Sequence, residues 1–319
     1  MFKKIEIWIL YLTLLFSVLF AIGFGILVRQ ELVGSIKAGW VSKTALTLAE
    51  MPMNIKKMLK KNEFTVEDRF PESTGFNGTP NSEESFLLLS RYDGDLQESV
   101  FELVDLTNFE IVHTWNPDID AFNELVEKID EFEFLQRDRN NRRALLVHPN
   151  LMKDGGLLFK SNGPLRKIDA CSRLIFQNTH DTFHHSIEID IDGNIWVPTR
   201  LHPQSLPIEK VGREVEDFFD DAIVKLSPEG KVLYEKSVSQ IFIDNGLEYL
   251  LFSVGDIQFV SDPIHLNDIQ PVNYDSQYWK KGDVFLSLRH QSMVLLYRPS
   301  TNKIIWTGTG PFFHQHDVD

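Results

Sequence analysis

The sequence predicts an all-β chain, a β-propeller set behind an N-terminal transmembrane helix. Three observations carry that prediction. A strand–turn–strand unit recurs from about residue 100 to the C-terminus, 22 consecutive residues near the N-terminus carry no charge, and a Gly/Pro/Asn-dense stretch separates the two regions.

The uncharged run is Ile7 to Val28. At ~1.5 Å per residue it spans the roughly 30 Å of a bilayer's hydrocarbon layer. Lys3 and Lys4 precede it and Arg29 closes it. A cleaved signal peptide has a shorter apolar region, about 7–15 residues, before a small-residue cleavage site. Ala21-Ile22-Gly23 is only a faint match to such a site, so the expectation is an uncleaved anchor over residues 1–29. Lys37, Lys43, Lys56, Lys57, Lys60 and Lys61 lie on the far side, and the positive-inside count therefore does not fix orientation.

Residues 30–81 read as a helical stalk and linker. Trp40, Val41, Leu46, Leu48, Ile55 and Leu59 recur among polar and basic positions, in the manner of a stalk or a helix lying on the membrane surface. Pro52 should kink or divide that helix. Phe70 to Pro80 has linker composition, so the globular domain is placed at 82–319.

Composition limits the partners. Apolar residues make up 43% of the 319-residue chain, enough for a large core, and the net charge is −14. Nucleic acid is excluded as a partner, because phosphate contacts need a basic face. Cys171 is the one cysteine, so no internal disulfide holds the fold.

Within 82–319 the repeated unit is an apolar strand, a polar turn and a second apolar strand. Copies run over Val104–Val112, Arg166–Phe176, Ile223–Tyr234 and Leu295–Trp306. Turns such as Ser227-Pro228-Glu229-Gly230 suit tight conformations between pleated flanks. Further strands are expected at Ser186–Asp190, Asn194–Pro198 and Asp283–Leu288, and a helical insertion at Phe122–Phe134. Hairpins roughly 55–75 residues apart fit propeller blades with long insertions; a β-sandwich is the alternative.

Four segments concentrate the chemistry. In Phe183-His184-His185-Ser186, adjacent strand residues point to opposite faces, so one ring should enter a site while the other packs, beside the tight turn at Asp192-Gly193-Asn194. In Asp262-Pro263-Ile264-His265-Leu266-Asn267, an extended backbone would put His265 and Asn267 on one face. Arg289, at the tip of Asp283–Leu288 and next to His290, offers a planar fork suited to sulfate, phosphate or carboxylate. His314-Gln315-His316 would place both rings on one strand face, a spacing that also suits a metal pair, although no carboxylates at matching spacing accompany it. Each segment has a structural alternative: packed histidines, a polar turn, a surface ion pair. Histidines gathered near an arginine would disfavour imidazolium and keep a neutral, nucleophilic ring near pH 7.

At these four segments the chain resembles the bacterial arylsulfate sulfotransferase family, the type that needs no nucleotide sulfate donor. The matching elements are His-His-Ser-Ile-Glu with the following Asp-Gly-Asn at 184–194, Asp-Pro-Ile-His-Leu-Asn-Asp-Ile at 262–269, Gly-Asp-Val-Phe-Leu-Ser-Leu-Arg-His-Gln-Ser at 282–292, and Gln-His-Asp at 315–317. The resemblance implies a six-bladed propeller with its site at the central channel. It implies His316 as a nucleophile that takes the sulfuryl group from an aryl sulfate and passes it to a phenol. It casts His265 and Arg289 as stabilisers of the sulfate oxygens, and His185 as a third stabiliser or the leaving-group acid. His184, His290, His314 and Asn267 become expected substrate contacts, with Asp317, like Asn267, an orienter.

Neither cofactor nor metal is implied. The expected partners are an aryl sulfate donor, a phenolic acceptor, the membrane and a second copy of the chain, with the propeller on the extracytoplasmic side. The resemblance also implies strands beyond Gln-His-Asp to close the ring. With Asp319 last, the expectation is an incomplete propeller, a blade completed by earlier strands or a partner, or a sequence that is a piece of a longer one. A propeller that only binds or scaffolds, and a metal-dependent hydrolase using His314 and His316, are the competing functions.

Overall fold

The computed structural model describes residues 6–32, 39–59, 75–76, 78–127, 129–206, 218–251 and 262–318. The chain divides into two compact units, Met1–Asn77 and Gly78–Asp319.

The first unit holds helix α1 (Ile7–Leu32) and helix α2 (Trp40–Leu59). α1 is long and apolar enough to cross a membrane, and none of its most apolar window is buried. α2 continues through Pro52, so of the expected kink or division the proline does not divide the helix. Proline removes one N–H and presses on a carbonyl one turn earlier; on an exposed turn, water can take up that freed carbonyl. Most of the 70–80 stretch expected as linker lies outside the described residues, as do Lys37, Lys60 and Lys61.

The second unit is mostly β, built from antiparallel meanders. β1 (Phe86–Asp93), β2 (Glu98–Asp105) and β3 (Ile111–Trp115) form one sheet in that order. Next come β4 (Val147–Leu151), β5 (Leu157–Lys160), β6 (Gly163–Ile168) and β7 (Leu174–Phe183). β8 (Glu188–Ile189), β9 (Ile195–Arg200), β10 (Asp221–Leu226) and β11 (Val232–Ser237) follow. The last sheet runs β12 (Leu266–Pro271), β13 (Val284–Leu288), β14 (Met293–Arg298) and β15 (Lys303–Thr309). The ten-residue β7 pairs first with β6 and then, at Thr182 and Phe183, with β9, joining two meanders into one eight-stranded sheet.

All four hairpins read from the sequence form antiparallel pairs: β2–β3, β6–β7, β10–β11 and β14–β15. The strand expected at Ser186–Asp190 shortens to β8. The expected helical insertion becomes helix α3 (Ile119–Glu124), a 3-10 turn at Asp130–Phe132 and helix α4 (Leu135–Asp138). Asp118 caps α3, its side chain accepting from the Ala121 amide, which satisfies a donor with no intrahelical partner. Among the described residues no strand pair closes the set; β15 pairs only with β14.

Inner strands buried along nearly their whole length, such as β5, β9, β10 and β12, build the core between meanders. Val284, Leu286 and Leu288 face Tyr297, Leu295 and Met293 in register and pack with Ile223, Leu266, Ile269 and helix α5 (Val238–Asp244). A second core joins Phe101 and Trp115 to Ile119, Phe122, Leu157 and Phe159. Each such side chain contributes about 1.5–3 kcal/mol by leaving water. Consecutive meanders are therefore fixed face against face, which holds their strand ends in place.

Gly156 shows how tightly the turns close. A Cβ there would lie 2.2 Å from the Ile168 carbonyl oxygen, a backbone atom held in the β5–β6 pair. Gly156→Ala is expected to destabilise the β unit by about 1–3 kcal/mol, read as a lower denaturant midpoint at unchanged slope.

Candidate active site

Four histidines sit in the left-handed backbone region: His148 (φ 48°), His185 (φ 55°), His265 (φ 53°) and His314 (φ 52°). The first three lie at or beside strand ends, and His314 lies in the segment that follows β15. Such a conformation costs an L-residue about 1–2 kcal/mol, and its occurrence at four histidines marks a site whose side-chain directions the surrounding sheets dictate.

His184 and His185 follow β7 rather than continuing it. The left-handed turn at His185 overturns the expected opposite-face arrangement: the two Nδ1 atoms are 2.7 Å apart and both rings join one cluster. His184 is buried, its Nε2 3.3 Å from Asp221 Oδ1 but not aligned for a hydrogen bond. Asp221 Oδ2 accepts the Leu266 amide at 2.6 Å, so one carboxylate ties the β10 end to the start of β12. The Asp190–Asn194 turn sits between β8 and β9, with Asp190 accepting the Asn194 amide.

His265 precedes β12, and its left-handed backbone removes the expected shared face with Asn267. The ring is instead held by Asp262, whose Oδ2 lies 2.5 Å from His265 Nδ1; that leaves Nε2 as the working nitrogen. Asn267, at a break in the β12–β13 register, is buried and donates to the Gln315 carbonyl at 2.9 Å. Arg289 and His290 form the turn after β13. Arg289 Nη1 is 2.8 Å from His290 Nε2, and His290 Nδ1 is 2.5 Å from the Asp262 carbonyl. A guanidinium only donates, so Nε2 accepts and the ring proton sits on Nδ1.

The segment after β15 returns to these groups without forming a strand. Gln315 donates to the carbonyls of Leu288 and Met293, and the Val318 amide donates to Asp268. His314 and His316 therefore do not share a strand face. His314 stacks on Phe313 and sits 6.1 Å from the His290 ring, whereas His316 is 6.0 Å from His185. With His185–His265 at 4.9 Å and His265–His290 at 4.6 Å between centroids, the six rings 184, 185, 265, 290, 314 and 316 form one continuous array. His314 and His316 are its exposed members, and Asp317 is exposed next to His316.

Sequence reading missed four contributors. His148 follows Val147, which pairs in register with Lys160; the charges of His316, Asp317 and Lys160 act on it. Lys160 is fully buried and its Nζ has no hydrogen-bond partner. Asp262 lay inside a quoted segment without a role. Arg200, 3.8 Å from Asp221, lies on the face of Phe219 and lines a cleft of about 350 Å³ with Glu131, Gln204 and Asp220. The left-handed positions leave no hydrophobic periodicity to read, and a buried lysine inside Leu-Leu-Phe-Lys looks like a strand end.

The electrostatics favour neutral rings. Burial, then the charges of His184, His265, Lys160 and His316, push His185 down to about 2. Burial lowers His184, and the facing Asp221 only partly opposes it. His148 is lowered by burial and Lys160, and His314 by desolvation and then Arg289. Burial alone brings Lys160 down to about 7. Burial would raise Asp262, but the His265 hydrogen bond and the nearby charges of His265, His290 and Arg200 leave it lowered. The site thus sets neutral imidazoles beside Arg289 and Lys160, an environment suited to an anion.

Donor atoms of Asp262, His265 and His290 lie within 4.8 Å of one another and could hold a metal ion. They already bond to each other and to Arg289, which serves a hydrogen-bond network as well as a metal.

The pattern of the family described as Arylsulfotransferase (ASST) matches residues 148–319. Solved structures with partial similarity include a protein of unknown function from Bacteroides caccae, at 15% identity and TM-score 0.40, covering 72% of this chain and 58% of that one. A streptogramin B lyase follows at 11% identity and TM-score 0.33, covering 72% and 59%. A catalytically inactive virginiamycin B lyase from Staphylococcus aureus with quinupristin has 10% identity and TM-score 0.29, covering 73% and 76%. The chain thus spans less than two thirds of the first two. No curated protein matches.

Lys160 gives a stability signature. Its folded pKa lies below its unfolded one, so between about pH 7 and pH 10.5 the unfolded chain holds a proton that the folded chain lacks. Stability is highest above that window and falls as pH drops through it. Lys160→Met removes the penalty, so the variant should be more stable at pH 7 by a few kcal/mol, on the order of the shift. The gain should vanish towards pH 10.5, as read from denaturant titrations across pH.

Proposed function

Because the chain belongs to the arylsulfotransferase family, we propose that it transfers a sulfuryl group from an aryl sulfate to a phenol through a sulfohistidine at His316, without a nucleotide donor. One observation carries this reading: His185, His265, His290, His314 and His316, from separate segments, form a single array with Arg289.

In the first half-reaction a neutral His316 nitrogen attacks sulfur. The N–S bond forms, the S–O bond to the aryl group breaks, and the aryl oxide leaves and takes a proton. In the second, a phenol oxygen attacks sulfur and loses its proton, the N–S bond breaks, and His316 is regenerated. Arg289 and the neutral N–H groups of the array stabilise charge on the equatorial sulfate oxygens. His185, depressed to about 2, serves as a hydrogen-bond donor rather than the leaving-group acid. The proton is handled by His265, because Asp262 at its Nδ1 stabilises positive charge on that ring, as a carboxylate does in acid–base dyads. His184 and Asn267 act through position: one packs on Asp221, and the other holds the Gln315 backbone. His290 and His314 line the approach, and Asp317 sits beside His316.

The architecture that fits this chemistry is a six-bladed propeller over 82–319 with the site at its channel. Its support is the succession of antiparallel meanders, with array rings following β7, preceding β12 and following β13. The N-terminal helix fits a single-pass anchor over 1–29, followed by a stalk over 30–81, with the catalytic unit outside the cytoplasm and a second copy of the chain as a possible dimer partner. Residues 1–29 should carry the membrane association: the full chain resists alkaline carbonate extraction, whereas a chain starting at residue 30 is released into the soluble fraction.

With a chromogenic aryl sulfate and a phenol, the full chain should give nucleotide-independent transfer. His316→Ala, at an exposed position, should lower it roughly 10³-fold or more and abolish an acid-labile sulfohistidine. Asp262→Asn should cost about 10²-fold. Transfer should persist in chelator; a loss in chelator that Zn²⁺ restores would favour metal-assisted chemistry at Asp262, His265 and His290. A folded protein inactive across a donor panel would leave a binding module as the better reading.

A further inference from the structure

Outside the histidine array, β7 and β11 bring together three donor groups that the proposed transfer does not use. His180 Nε2 lies 2.9 Å from Glu235 Oε2 and 3.6 Å from Asp181 Oδ2. One donor atom from each of the three residues falls within 4.8 Å of the others. Asp181 is only 3% exposed; its Oδ2 has no hydrogen-bond partner, and its Oδ1 receives only the His202 amide, at 3.4 Å. A buried carboxylate oxygen left this way costs free energy unless something compensates it. Burial, then the charges of Glu235 and Glu131, push the Asp181 carboxyl up to about 8, and burial raises Glu131 as well, so the pocket disfavours these carboxylates unless a cation joins them. Among the described residues no lysine or arginine pairs with Asp181 or Glu235.

We propose that His180, Asp181 and Glu235 form a binding site for a divalent first-row cation of the Mn²⁺ or Zn²⁺ type, which ties β7 to β11. One imidazole nitrogen and two carboxylate oxygens suit both ions. Bonds of about 2.0–2.2 Å put two ligands of one ion roughly 3–3.6 Å apart at octahedral or tetrahedral angles, and the 2.9 and 3.6 Å separations of His180 from Glu235 and Asp181 are already near that range. His180 and Glu235 are exposed, which gives an entry path and room for water ligands. The role is structural. His180 and Asp181 immediately precede Thr182 and Phe183, where β7 passes from β6 to β9, and His184 and His185 come directly after. An ion here would therefore fix the strand that carries two rings of the array. A shared proton is the competing occupant, since a protonated His180 between the two carboxylates needs no metal.

The test uses the full chain, stripped with chelator and dialysed, then titrated separately with Mn²⁺ and Zn²⁺. Free Mn²⁺ is followed by electron paramagnetic resonance, and thermal unfolding is recorded with each ion. The expected result is one tightly bound ion per chain and a raised Tm with at least one of the two metals. Glu235→Gln, on an exposed strand, should weaken binding tenfold or more and remove the Tm rise. Asp181→Asn keeps the shape of a neutral carboxyl, so its metal-free Tm should stay near that of the parent while binding is lost. The proposal is overturned if neither ion binds, if binding is unchanged in Glu235→Gln, or if it survives in both variants and disappears in His290→Ala, which would place the ion in the array.

Discussion

The site depends on one backbone constraint: left-handed turns at His148, His185, His265 and His314. An extended chain at these positions would send neighbouring side chains to alternate faces. The turns instead bring the rings of His185, His265 and His314 into one array, with His148 close enough for its neighbours' charges to act on it. Sheet packing offsets their cost of about 1–2 kcal/mol each. Leu266, Leu288 and Leu295 are fully buried next to the turns, and cross-links such as Ser186 N to Asn267 O leave little freedom to relax. Rings from distant segments thereby meet within 4.6–6.1 Å.

Electrostatics follows from that convergence. Bringing imidazoles together while removing them from water penalises the charged form twice, by desolvation and by mutual repulsion. His185 carries both effects most strongly, with Lys160 adding a third. Two carboxylates set limits on this tendency. Asp262 orients His265, and Asp221 faces His184 while holding the Leu266 amide. The array therefore sets three rings whose charged form is disfavoured, His184, His185 and His314, beside His265, whose Nδ1 meets a carboxylate. Arg289 contributes permanent charge, and its contact with His290 fixes a tautomer as well as a direction.

The N-terminal unit and the β unit obey different rules. α1 is apolar on all sides, and none of its most apolar window is buried, so its sequence carries length and hydropathy but no face pattern. In the β unit the inner strands are buried on both faces along nearly their whole length, and β7 shows how far local pattern reaches. Its residues read as an ordinary hairpin arm, yet the strand serves two meanders in turn.

Periodicity and turn chemistry by themselves determined the β class, the four hairpins and the apolar helix, because each is encoded within a dozen neighbouring residues. The same local signals did not decide Pro52, which leaves its helix undivided. They failed at His184/His185, His265/Asn267 and His314/His316, where extended geometry was assumed and the backbone turned. The four chemical segments were legible as residue types, but their partners were not. Asp262 beside His265, Asp221 beside His184, and Lys160 behind the array lie outside what spacing encodes. Tertiary structure alone decided those pairings, because ring contacts and shifted pKa values depend on through-space distance and loss of water. Both quantities are fixed only when Lys160, on β5, and His316, beyond β15, come to bear on the same ring, His185.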